Sequence, residues 1–177
     1  MKYIVAFASL ITLSFLSCNQ NEQPESTFSI DKYSYNLGII GGFSELVDVG
    51  VKKLAFSDAL PPAEMDVIAA EAEKVALHNH VKLYREKDLI VTYLSPSDVA
   101  VGKDVLLIYN GNTLDEYLAL KEEIKKLQAE NKYTEEAKMD VSIRLGKMLS
   151  YPSQKIDELI AGNSAKSENP RQSRDKK

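Results

Sequence analysis

Apolar positions recur at two different periods along the chain, and the change of period marks out its elements. Ile39, Ile40, Phe43, Leu46, Val47 and Val51 are spaced by three and four, which predicts a helix from Tyr35 to about Gly50. Val51–Ser57 reads as a short strand. Met65, Ile68, Ala69, Ala72, Val75 and Ala76 form one stripe of a second helix. Pro61 and Pro62 suit its first turn, where a backbone N–H would be unpaired in any case. Val81–Arg85 and Leu89–Leu94 are rich in β-branched and aromatic residues and flank Glu86–Lys87–Asp88, which predicts a hairpin. Ser95–Lys103 reads as a loop.

Asp104–Asn110 holds five consecutive apolar residues, the pattern of a strand covered on both faces and therefore central in its sheet. Leu114, Tyr117, Leu120, Ile124 and Leu127 give the longest helix, with Thr113 as expected N-cap and Glu116 at capping-box spacing. Ala137, Val141, Leu145 and Met148 give another helix, capped by Thr134 and stopped at Tyr151–Pro152. A short last helix follows, ended by Gly162. The order is α-β-α-β-β-β-α-α-α. It predicts an α+β domain with a mostly antiparallel sheet of about four strands covered by helices, and a helical C-terminal part.

Polar stretches bound this region. Residues 18–32 are polar, with Pro24 and only Phe28 and Ile30 as large apolar side chains, and read as a tether. Residues 33–161 form the single domain. Residues 162–177 carry no large apolar side chain and cannot bury enough surface to offset their ordering entropy, so a disordered basic tail is expected. The tail has five basic against two acidic side chains, and residues 33–161 have 15 basic against 21 acidic. An acidic domain lacks the clustered basic surface that nucleic acid requires, and no nucleic-acid partner is expected.

Before the tether, Ile4–Leu16 is apolar except for Ser9, Thr12 and Ser14, and Lys2 is the only charge in the first 21 residues. Thirteen residues fall short of the roughly 20 needed to span a bilayer. A charged start, a short apolar middle and a small residue at the end describe a secretory signal peptide over residues 1–17. Ordinary signal cleavage fits poorly, because cuts after Ser17 or Cys18 place Phe15 or Leu16 where a small residue is wanted. Phe15–Leu16–Ser17–Cys18 instead resembles the lipobox of bacterial lipoproteins, departing from it at Phe15, where that family most often has Leu. The resemblance covers about the first 20 residues. It implies that the Cys18 thiol receives a diacylglyceryl group and that the leader is cut off before Cys18, which is then N-acylated. Cys18 is the only cysteine, so no internal disulfide competes for it. Each buried CH₂ contributes roughly 0.8 kcal/mol, so two or three acyl chains hold the chain at a membrane without a spanning segment. The residue after the cysteine is Asn19 and not Asp, which by the same resemblance favours the outer over the inner membrane.

Candidate chemistry in the domain is sparse. Gly38, Gly41 and Gly42 lack the Lys-Ser/Thr of a P-loop and follow no strand, so close approach by another element is the expected role. His78 and His80 are the only histidines and have no third His or Cys to complete a zinc site, for which Glu86 or Asp88 would have to serve; a helix end for His78 and a loop start for His80 are the expected roles. The turn Tyr109–Thr113 offers the side chains of Asn110, Asn112 and Thr113 to an anion or a sugar, or serves only as a turn and cap. Glu86, Asp88 and Asp98 offer carboxylates, but no nucleophile–base pair accompanies them. Two adjacent lysines, Lys52 and Lys53, have no role beyond an exposed start to a strand. No catalytic residue, metal ligand or cofactor is assigned. The chain is expected to be a lipid-anchored envelope protein whose domain binds or interacts, with an envelope protein as partner. The alternative is a tethered enzyme with a site where the Glu86/Asp88 hairpin and the Asn110–Thr113 turn converge. A deep pocket collecting Glu45, Tyr84, Glu86 or Asn110 favours the enzyme, and a flat apolar patch favours the protein partner.

Overall fold

The computed structural model describes residues 29–168. The leader 1–17, Cys18 and the tether up to residue 28 lie outside the described residues, as do residues 169–177 of the tail. The elements are α1 (Lys32–Asp48), β1 (Leu54–Phe56), α2 (Pro62–His78), β2 (Lys82–Glu86), α3 (Ser97–Ala100), β3 (Val105–Tyr109), α4 (Thr113–Ala129), α5 (Glu135–Met148) and α6 (Ser153–Glu168). The domain is α+β. The Asp31 carboxylate starts α1 by accepting from the backbone N–H groups of Tyr33 (3.3 Å) and Ser34 (3.0 Å), two of the donors a helix start leaves unpaired.

The sheet has the order β1-β3-β2, antiparallel throughout, with Leu54 opposite Tyr109 on one side and Lys82 opposite Tyr109 on the other. The apolar run is the central strand, as its composition predicts, and all five of its residues are buried. Because side chains alternate along a strand, it feeds two cores. Val105, Leu107 and Tyr109 join Leu54 and the α4 and α5 residues Tyr117, Leu120, Ile124, Val141 and Leu145. Leu106 and Ile108 join Ile40 and Val47 of α1 and Met65, Ile68, Ala72 and Ala76 of α2. Two helices therefore lie on each face of the sheet.

Three expectations are corrected. Three strands are present among the described residues, not about four, because Leu89–Leu94 pairs with nothing: β2 pairs with β3 and no 81–94 hairpin exists. Its backbone groups are taken by side chains instead. Thr92 Oγ1 accepts from the N–H groups of Leu94 (3.0 Å) and Ser95 (3.1 Å), Ser142 Oγ from Tyr93 N–H (3.0 Å), and the Val91 carbonyl from the Tyr133 hydroxyl (2.9 Å). The Ile90 carbonyl accepts from Ser95 Oγ. Second, part of the expected loop forms the single turn α3.

Third, α6 runs through Gly162 to Glu168, into the segment expected to be tail. A glycine that keeps helical backbone costs only about 1 kcal/mol and does not stop a helix by itself. Left-handed residues end three of the others: His80 (φ 56°) follows α2, Asn131 (φ 54°) α4 and Ser150 (φ 58°) α5. The glycine that matters for α6 is Gly146, where a Cβ would lie 2.7 Å from Ile156 Cγ1, so its absence lets α6 seat on α5.

Candidate functional site

The Asn110–Thr113 turn satisfies its own polar groups. Gly111 takes φ +60°, and the chain reverses from β3 into α4. Thr113 is the first helical residue and not the N-cap. Its hydroxyl donates back to the Asn110 carbonyl at 2.9 Å, so the expected capping box with Glu116 does not form. Asn112 occupies the N-cap without a side-chain bond. The Asn110 amide, with its nitrogen turned inward, donates to the carbonyls of Tyr109 (3.1 Å) and His80 (3.2 Å). Thr113 is buried. These are the contacts of a turn, and only Asn112 keeps a side chain free of them.

Glu86 and Asp88 lie at the other end of the sheet. Glu86 pairs with Val105 and Lys82 with Tyr109, so the acidic segment and the Asn110 turn are five residue steps apart along β3, roughly 17 Å. The two halves of the conjectured enzyme site do not converge. Glu86 is instead buried against Lys121 of α4, with Nζ 2.7 Å from Oε1 and 2.5 Å from the Asp88 carbonyl. Tyr117 lies beside them. Burial, then the Glu86 carboxylate, pushes its phenol far above the ordinary tyrosine range, so it keeps its proton. Neither Glu86 Oε2 nor the Tyr117 hydroxyl completes a well-aligned hydrogen bond. Lys121 escapes composition-level reading, yet it stands four residues after Tyr117, inside the Tyr117–Leu120–Ile124 stripe. A cation in a buried stripe requires a buried anion.

His78 and His80 form no metal site with neighbours: among the described residues no three His, Cys, Asp or Glu side chains are placed to hold an ion. His80 is exposed and lies 3.8 Å from Asp48 Oδ2. The paired lysines do have separate roles. Lys52 Nζ donates to the Leu149 carbonyl at the end of α5 (2.7 Å) and stands over the ring of Tyr151 (4.8 Å). Lys53 points its exposed side chain toward a cleft between α4 and α5.

The glycines of α1 do not all serve close approach. Gly41 faces Val75 of α2 at 3.7 Å, but a Cβ on Gly38 or Gly42 would meet nothing within 4 Å. The helix also buries only part of its apolar stripe. It buries Asn36, Ile40, Ser44 and Val47, two of them polar, and Ser44 Oγ finds no partner. Ile39, Leu46 and Val49 flank Gly38 and Gly42 in a shallow groove of about 480 Å³, with Phe43, which also packs against the core; Glu45 is the one charged residue lining it among the described residues, and Lys52 Nζ stands 5.9 Å from the Phe43 ring. Val49 is 64% exposed. Two helical glycines cost roughly 0.8–1 kcal/mol each, and nothing within the described fold offsets that. Gly42→Ala is therefore expected to raise stability by up to about 1 kcal/mol, read as a higher melting midpoint; a lower midpoint would mean that the face is already covered.

No protein-family model, curated protein or solved structure matches this chain.

Proposed function

We propose that this is a lipid-anchored cell-envelope protein, held through Cys18 with the outer membrane favoured over the inner, whose domain is an interaction module and not an enzyme. The observation that carries the module is the outward apolar face of α1. A helix that buries Asn36 and Ser44 while exposing Leu46 and Val49 has its apolar side available to something outside the domain. The occupant is a helix of an envelope protein. Open glycines four apart admit a partner backbone or a large apolar knob, and Glu45 on an otherwise uncharged groove asks for a basic residue on the partner's matching rim. The anchor rests on the lipobox resemblance alone.

Each part has its own test. Cys18→Ala is expected to abolish acyl labelling and leave an uncleaved precursor; unchanged labelling in that variant rejects the anchor. For the module, a photo-crosslinking residue at Leu46 in intact cells is expected to give one discrete adduct, lost when Val49→Glu is added. An equal yield from Lys126, on the exposed side of α4, would show that the adduct is collisional and that α1 is not the interface.

A further inference from the structure

The second of the paired lysines is the one that Lys52 leaves unexplained. Lys53 stands ahead of β1, with its backbone N–H held by Ser150 Oγ at 2.9 Å. Across from it, α5 contributes Arg144, Lys147 and Met148 and α4 contributes Glu116 and Leu120 to one cleft of about 390 Å³. Arg144 is fixed there by a two-pronged contact with Glu123 (2.8 and 2.7 Å) and by Asp140 at 3.3 Å. The guanidinium holds the Glu123 carboxyl below its usual range, so this pair stays ionised, and with Asp140 the group leaves no positive charge over. Neither Lys53 nor Lys147 has a carboxylate within 4.0 Å among the described residues.

Lys53 and Lys147 line the same cleft from different elements, and they are its two cations without an ion-pair partner among the described residues, Arg144 being matched by Glu123 and Asp140. Completing the end of α5 does not require them. Lys52 already serves the Leu149 carbonyl, and the N–H groups of Ser150 and Tyr151 serve those of Lys147 and Gly146. The half-buried Met148, over the buried Leu120, gives the cleft its apolar lining, and Glu116 adds one acceptor.

We infer that this cleft binds a small organic anion: a phosphate or carboxylate between Lys53 and Lys147, an apolar body over Leu120 and Met148, and a donor group toward Glu116. The inference stands apart from the α1 interface and survives its failure. Two sources share this chemistry, a soluble organophosphate and the headgroup of an anionic phospholipid.

Calorimetric titration of the full chain in nonionic detergent distinguishes them, with hexyl phosphate and dihexanoyl phosphatidylglycerol as probes. Saturable binding is expected, weakened about tenfold by Lys53→Gln or by Lys147→Gln, the loss of one charge-assisted contact. Lys82→Gln, on the exposed side of β2, is expected to leave it unchanged. Tighter binding of hexyl phosphate assigns a soluble ligand, and tighter binding of the lipid assigns a headgroup. No saturable binding of either probe overturns the site, as does equal affinity in wild type and both cleft variants.

Discussion

Lys121→Met is expected to lower the free energy of unfolding by about 3–5 kcal/mol, the range found when one partner of a buried ion pair is removed. The substitution keeps the apolar stem and takes away only the charge. What remains is the Glu86 carboxylate, 2% exposed, with Oε2 already lacking a partner and the protonated Tyr117 phenol poorly aligned to help. The Asp88 carbonyl loses its 2.5 Å donor as well. Asp88 itself cannot substitute, since its carboxylate is mostly exposed and carries the same sign as Glu86. Against a usual total of about 5–15 kcal/mol, the loss is large enough to leave part of the population unfolded. The double variant Glu86→Gln, Lys121→Met is expected to recover most of it, because no unpaired charge is then buried. Urea unfolding of the four proteins of this cycle makes the check. A single-variant cost below about 1 kcal/mol would mean that water reaches the pair, since exposed pairs are worth that little.

This pair also marks where reading by residue type stops. A period of three and four shows which side of α4 is covered, and the tertiary structure covers it as expected. It does not say what a lysine inside that stripe meets, because Glu86 is 35 residues away and its pairing depends on how β2 is registered on β3. The central strand was legible because five consecutive apolar residues have few other solutions. The direction in which α1 faces was not. Its apolar residues define one side by sequence, and the domain buries only part of that side, Ile40 and Val47, together with the neighbouring Ser44 and Asn36, which satisfies itself on the Lys32 carbonyl at 2.7 Å. Periodicity predicts the face that would prefer burial, and only the fold shows which face is buried. The candidate turn at Asn110–Thr113 was legible as a turn, with its bonding pattern reversed: the threonine hydroxyl donates backward instead of capping forward. The cleft at Lys53 was legible only as a puzzle, two lysines without a role, because its other cations come from a helix some 90 residues later.

The misread segment, Leu89–Leu94, carries the second large expectation. β-Branched and aromatic residues favour a pleated surface, but a strand also needs a neighbour for its backbone groups. Both sides of β3 are taken by β1 and β2, and the segment does not add to the outer edge of β2, which pairs with no strand among the described residues. The segment lies buried outside the sheet, with Leu89, Ile90, Thr92 and Tyr93 and the following Ser95 all inaccessible, and finds partners residue by residue. Thr92 is its hub: Oγ1 accepts from two backbone N–H groups and stands 3.1 Å from Ser95 Oγ. Thr92→Val keeps the shape and removes that acceptor. Leaving a buried donor unpaired costs about 1–3 kcal/mol. Two donors are involved, and Leu94 is only half-buried, so a loss of about 2–4 kcal/mol is expected. Thr92→Ser keeps the oxygen and gives up one methyl, for roughly 1 kcal/mol. The ordering is the test. Valine must be the more damaging of the two in urea unfolding, and in the Thr92→Val protein the amide hydrogens of Leu94 and Ser95 must exchange faster with solvent. If serine costs as much as valine, the segment is held by apolar burial alone and the hydroxyl network contributes nothing to its fold.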